Sequence, residues 1–227
     1  MAFFISIIIL LCIVATTIHF IIKKCEDQTK KKYIIVFFIG FVSMFVAALI
    51  ELLFIPKGWN SNIYSVKTFI GHLEVGFIEE AVKFLPCALF VYNKKYFNRY
   101  TDGVALFITA GLGAAFLEDI FYFVITKNST VLLLRYTLIF FHPACTATIG
   151  YCLINKKLQQ KQSYSNVIVA WIIVSIIHGV SDSLEASVGH KELQSLGVVI
   201  AYSMVIYFFV LISKSRNADT NKVKIIQ

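Results

Sequence analysis

Apolar residues dominate seven long stretches of the chain, and short polar segments separate these stretches. Each stretch is near or above the roughly 18 residues that a helix needs to cross a bilayer. The pattern predicts membrane-spanning helices at 2–22, 33–55, 69–92, 104–125, 131–154, 167–184 and 196–213. The hydrophilic residues 214–227 are expected to form a cytoplasmic tail without fixed structure. The predicted fold is an all-α polytopic membrane protein, with residues 1–227 forming one integral domain.

Composition and charge agree with this assignment. Of the 227 residues, 58% are hydrophobic and only 15% are charged, whereas about a quarter of a typical soluble domain is charged. The net charge of +8 does not require a nucleic-acid partner, because Lys and Arg alternate between successive loops, with fifteen on one side and four on the other. By the positive-inside rule the richer side is cytoplasmic, so we expect the N-terminus outside and the C-terminus in the cytoplasm.

Ionisable side chains lie inside four consecutive predicted spans. A charge at the centre of the bilayer costs about 3 kcal/mol even on lenient insertion scales, so such residues usually serve a function. The third to sixth spans contain Glu79, Glu80, Lys83, Glu118, Asp119, Arg135, His142, His178 and Asp182. The other spans contain only His19, which we interpret as a packing residue, and Glu51, which we expect to reach interfacial water. The division predicts a polar centre in spans three to six with accessory helices around it.

Helical spacing and depth indicate that these groups form one site. Residues four apart share a helix face, as Glu79 and Lys83 do, and as His178 and Asp182 do. With a rise of about 1.5 Å per residue, one layer between the midplane and the outer face contains Glu79, Glu118, His142 and His178. A structural ion pair would explain Lys83 or Arg135 as well as a functional role does. It would not readily explain the glutamates and histidines together.

Four segments of the chain resemble the motifs of a known family. They are GFIEEAVKFLP at 76–86, GLGAAFLEDIFYF at 111–123, RYTLIFFHPACTATIGY at 135–151 and HGVSD at 178–182. Together they look like the four motifs of the PrsW family of intramembrane proteases, which is similar to the CAAX prenyl endopeptidases and bacteriocin-processing enzymes. The chain departs from the family pattern at Ala114, where Phe is expected, and at Asp119, where Asn is common.

This resemblance implies hydrolysis of a peptide bond in a membrane-anchored protein near its extracytoplasmic side. The best-known substrate class of the family is an anti-sigma factor, which is cleaved first in a stress-response pathway. The resemblance implies supporting roles for Lys83, Asp119, Arg135 and Asp182. It implies catalytic roles for Glu79, Glu80, Glu118, His142 and His178.

Two mechanisms remain open for this centre, and a different class of function also remains possible. In one mechanism the Glu79 and Glu80 pair leaves one carboxylate as general base for a water, without a metal. In the other, His142, His178 and a carboxylate such as Glu118 hold a zinc ion with an open fourth position. No HExxH motif is present, and we favour the mechanism without an obligatory metal. The alternative function is a proton-coupled small membrane transporter that uses the buried Glu and His groups as a relay.

Overall fold

The computed structural model describes residues 2–24, 30–54, 66–125, 135–186 and 190–226. Within these ranges the chain is helical and contains no strand. Six helices are long and apolar enough to cross a membrane, and α3 differs because it contains several charged residues. The long helices are α1 (Ala2–Lys24), α2 (Lys30–Phe54), α3 (Val66–Val91), α4 (Tyr100–Ile125), α5 (Phe141–Leu158), α6 (Ser165–Glu185) and α7 (Lys191–Ile226). The prediction of an all-α polytopic membrane protein is confirmed.

The fifth predicted span is not one continuous helix. Residues 135–138 are helical, a turn follows, and α5 begins at Phe141. Pro143 explains the interruption, because its ring would clash with the carbonyl group of Ile139 in a continuous helix and it has no N–H to donate. In the first turn of a helix the missing N–H costs little. His142 therefore lies in the first turn of α5, while the predicted start of the span at 131 lies outside the described residues.

Helix α4 lies at the centre of the bundle, where it packs against α2, α5 and α7. Glycines allow the helices around it to approach closely. A Cβ atom at Gly76 on α3 would lie 2.5 Å from the carbonyl oxygen of Ser175 and 2.8 Å from the amide nitrogen of Gly179, both on α6. A Cβ atom at Gly111 on α4 would lie 2.5 Å from Cα of Pro143 on α5. These contacts bring the helices that carry the ionisable groups together.

The last helix extends further than the sequence predicts. Helix α7 continues to Ile226, although the residues from 214 onward were expected to lack fixed structure. Asp219 on this extension is buried and accepts hydrogen bonds from the backbone N–H groups of Tyr100 at 2.8 Å and Thr101 at 2.9 Å. The first N–H groups of a helix have no partner within it. Asp219 therefore caps the N-terminus of α4 from a different helix.

We expect Asp219→Ala to lower the free energy of unfolding by about 1 to 2 kcal/mol, which is typical of a lost N-cap. Thermal unfolding of the purified protein in detergent measures the change. Asn217→Ala is the matched control, because Asn217 is exposed on the same helical extension, and this variant should unfold like the wild type. An unchanged midpoint for Asp219→Ala would show that the cap does not contribute to stability.

Candidate active site

The ammonium group of Lys83 lies at the centre of a buried polar cluster. Lys83 and Glu80 are both 0% exposed, and Lys83 Nζ is 2.7 Å from Oε1 of Glu80. The same nitrogen donates to Oε2 of Glu79 at 3.2 Å and to Nδ1 of His142 at 2.9 Å. The two glutamates lie three and four residues before Lys83 on α3, so helical spacing alone brings them together. His142 comes from α5, and its contact with Lys83 joins the two helices.

His178 on α6 is held from α3 by a carboxylate. Its Nδ1 lies 2.9 Å from Oε1 of Glu80. An ionised carboxylate only accepts hydrogen bonds, so Nδ1 carries the proton. Nε2 faces the other way, 3.6 Å from Oε2 of Glu79 and 3.4 Å from Oδ2 of Asp182. In the neutral ring Nε2 therefore keeps a free lone pair, as it does in metal-binding histidines that a carboxylate orients.

His142 is held from the opposite side by α4. Its Nε2 contacts Oε2 of Glu118, and the other oxygen of Glu118 accepts a hydrogen bond from the Arg135 guanidinium at 3.0 Å. Arg135 also lies 3.7 Å from Oδ1 of Asp119. It packs 3.5 Å from the centroid of the Tyr122 ring, a geometry that favours a cation over an aromatic face. Asp119 thus contributes a second carboxylate to the same guanidinium.

All nine ionisable residues that the sequence analysis selected lie in this one cluster, which we call the central cluster. It comprises Glu79, Glu80, Lys83, Glu118, Asp119, Arg135, His142, His178 and Asp182. Exposure rises toward one end, from 0% at the Glu80 side chain to 15% at Glu118 and 34% at Asp182. The cluster therefore opens on the side of Asp182. The catalytic roles of these residues remain predictions.

Glu51 is a further acidic residue at the central cluster, although the sequence analysis set it aside. Ala47, one turn earlier on α2, packs with Ala114 and Leu117 of α4. The same face of α2 therefore directs Glu51 toward Glu118. Oε1 of Glu51 is buried and has no hydrogen-bond partner among the described residues. Spacing within α2 could not reveal this position, because it does not show which helices α2 contacts.

Three side chains of the central cluster suit a metal ion. One ligand atom each from Glu79, His142 and His178 lies within 4.8 Å of the others, and all three residues are buried. Two imidazoles and a carboxylate form the ligand set of many catalytic zinc sites. The sequence analysis grouped the two histidines with Glu118. In the structure Glu79 joins them, while Glu118 lies against His142. The residues present therefore fit a metal centre.

Comparisons with known proteins show which family this chain resembles. A family model described as PrsW family intramembrane metalloprotease matches residues 28–212. Protease PrsW of Halalkalibacterium halodurans is 26% identical over 158 residues, which cover 70% of this chain and 72% of that protein. Protease PrsW of Oceanobacillus iheyensis is 19% identical over 175 residues, with coverages of 77% and 79%. Protease PrsW of Bacillus subtilis is 30% identical over 88 residues, with coverages of 39% and 38%.

No solved structure matches this chain. The family resemblance that the four motifs predicted is confirmed by the family model and by the similar proteases. The family description includes a metal, which supports the metal-dependent mechanism rather than the metal-free mechanism that the sequence analysis favoured. The apolar helices and these relatives together identify a multi-pass membrane protein with peptidase activity. The chain belongs to the PrsW family of intramembrane metalloproteases.

Proposed function

We propose that this protein is an endopeptidase that cleaves a single-span membrane protein near the extracytoplasmic side of the bilayer. The observation that carries the proposal is the buried meeting point of Glu79, His142 and His178 inside a bundle of apolar helices. Zinc is the metal that two imidazoles and a carboxylate suit best. An anti-sigma factor of a stress-response pathway is the proposed substrate, on the basis of the sequence resemblance.

Some side chains of the central cluster bind the metal ion, and others transfer protons. The two histidines and one carboxylate would hold a zinc ion, which would supply Lewis acidity toward the peptide carbonyl group. Glu79 and Glu118 flank the histidines, so one of them serves as ligand and the other takes a proton from water as general base. The general base then passes this proton to the leaving amine.

The remaining groups orient these residues. Glu80 accepts from Nδ1 of His178 and so directs its Nε2 toward Glu79. Lys83 contacts Glu79 and Glu80 and offsets part of their negative charge. Breaking a buried ion pair by removing one partner typically costs about 3 to 5 kcal/mol. The contacts of Lys83 with His142 and of Glu80 with His178 join α3 to α5 and α6.

Cleavage by purified protein in proteoliposomes tests the proposed function. Candidate single-span substrates are reconstituted with the protein, and fragments are identified by mass spectrometry. We expect zinc-dependent cleavage that a chelator stops and added zinc restores. The proton-coupled transporter is the alternative, and a pH-sensitive dye inside the same vesicles reports its activity. Proton flux without cleavage of any substrate would overturn the protease proposal in favour of the transporter.

We expect the substrate to be cut in its outer membrane segment or just outside the membrane. The predicted topology places the central cluster between the midplane and the outer face, and the more exposed Glu118 and Asp182 lie at its open end. An unwound backbone in the bilayer needs protein or water to satisfy its polar groups, so entry from the outer side needs the shortest unwound segment. Mass spectrometry of the membrane-bound fragment locates the cut.

Truncated substrates provide the control for this prediction. Removing the extracytoplasmic part of a single-span substrate should change its cleavage, whereas removing the cytoplasmic part should not. A cut near the cytoplasmic end of the substrate would contradict both the predicted orientation of the chain and the predicted depth of the cluster.

A further inference from the structure

Three polar side-chain atoms on α3, α5 and α6, close in sequence to Glu79, His142 and His178, are buried. They are Oε2 of Glu80, Oγ1 of Thr146 and Oγ of Ser175, and none has a hydrogen-bond partner among the described residues. All three residues are 0% exposed. Nearly every buried polar group in a folded protein is hydrogen-bonded to protein or to ordered water. Each of these three atoms therefore needs a partner that the described residues do not provide.

The two hydroxyl groups lie one helical turn below the histidines. Thr146 follows His142 by four residues on α5, and Ser175 precedes His178 by three residues on α6, so each hydroxyl shares a face with its histidine. The imidazole rings of the two histidines are 5.1 Å apart between centroids. The α5 and α6 segments run in opposite directions in the predicted topology. Both hydroxyls are therefore on the side of the histidines away from the open end of the cluster.

Glu80 on α3 lies at the same depth in the bundle as the hydroxyl groups of Thr146 and Ser175. Gly76, one turn earlier on the same face of α3, is in close backbone contact with Ser175 and Gly179 of α6. The Oε1 atom of Glu80 contacts both Lys83 and His178. Oε2 is thus the one carboxylate oxygen of Glu80 that is left for a partner outside these contacts.

Thr146 and Ser175 also differ from several other helical hydroxyl groups of this chain. A helical Ser or Thr readily donates to the carbonyl oxygen four residues earlier. This local bond is present, at 2.7 to 3.1 Å, for Thr17, Thr109, Thr148, Ser195, Ser203 and Thr220. Thr146 and Ser175 do not make it, so their hydroxyl groups are directed elsewhere.

We propose that Glu80, Thr146 and Ser175 hold one buried water molecule beneath the histidines. Buried waters typically make two to four hydrogen bonds, and two hydroxyls with one carboxylate oxygen provide both donors and acceptors. The water fixes the Glu80 carboxylate, and this carboxylate orients His178. Thr146 and Ser175 are therefore positioning residues. The proposed effect of Thr146 and Ser175 on metal binding rests on the proposed function of the protein. The proposal that a water is bound there does not.

The sign of the stability change tests for the water. Removing a hydroxyl that has no partner is neutral or stabilising, whereas removing one that bonds to a water destabilises. We expect Thr146→Val and Ser175→Ala each to lower the thermal midpoint by about 2 to 4 °C. Thr148→Val is the matched control on α5, because its hydroxyl bonds to its own helix. A raised or unchanged midpoint for both test variants overturns the water site.

Zinc affinity tests the positioning role separately. Removing a residue that supports a metal ligand typically weakens metal binding by about 10- to 100-fold. We expect zinc titration to show a loss of about tenfold for Ser175→Ala and Thr146→Val, and no loss for Thr148→Val. Lower stability with unchanged zinc affinity overturns the positioning role. A wild-type protein that binds no zinc overturns both this role and the proposed metal mechanism, while the stability measurement still decides on the water.

Discussion

We expect Glu79→Gln to reduce cleavage of a membrane substrate by a factor of about 100 to 10,000, as is typical of general acid–base groups. We expect Glu80→Gln to reduce it by about 10- to 100-fold, as is typical of a residue that supports a metal ligand. The two losses have different physical causes. Glu79 lies within reach of His178 and belongs to the group that can hold a metal. Glu80 contacts Lys83 and the Nδ1 atom of His178, so its loss frees the ring. Gln is nearly isosteric with Glu, and we expect both variants to accumulate in the membrane.

Cleavage assays with equal amounts of reconstituted protein measure this effect. Glu74→Gln is the matched control, because Glu74 is exposed on the same helix, and it should cleave at the wild-type rate. The zinc content of Glu79→Gln and of Glu118→Gln then separates the roles of these two glutamates. The variant that loses zinc identifies the ligand, and the variant that keeps zinc but loses turnover identifies the general base. Wild-type turnover by both Glu79→Gln and Glu80→Gln would contradict the assignment.

The cost of charge inside a bilayer explains why much of the central cluster could be predicted from sequence. Long apolar stretches leave helices as the main option for crossing a membrane, so the fold class follows from hydropathy. Within those stretches a Glu or His is conspicuous. Spacing along one helix also places Glu79 and Lys83 on a common face, and their ion pair is present.

Contacts between helices could not be predicted in the same way. The position of Glu51 depends on which helices α2 packs against, and neighbours on a helix face do not reveal this. Asp219 caps α4 across a separation of more than a hundred residues, so the hydrophilic composition of residues 214–227 gave no sign of it. The interruption before α5 did have a local signal, because Pro143 disfavours a continuous helix through the residues that precede it.

We expect His142→Ala and His178→Ala to lose metal and proteolytic activity together. Each histidine presents a nitrogen to the group formed with Glu79. A metal site with three protein ligands does not retain its ion well when one imidazole is removed. Elemental analysis of the purified variants and cleavage assays on the same samples measure both losses.

His19→Ala is the matched control for these variants. His19 is exposed on α1, so its removal should leave zinc content and cleavage at wild-type levels. A chelator should inactivate the wild type reversibly, since the side chains that hold the ion remain in place. If active wild-type enzyme contained no stoichiometric metal, the metal-free mechanism with glutamate as general base would be supported instead. His142 and His178 would then act through their hydrogen bonds to Lys83, Glu118 and Glu80.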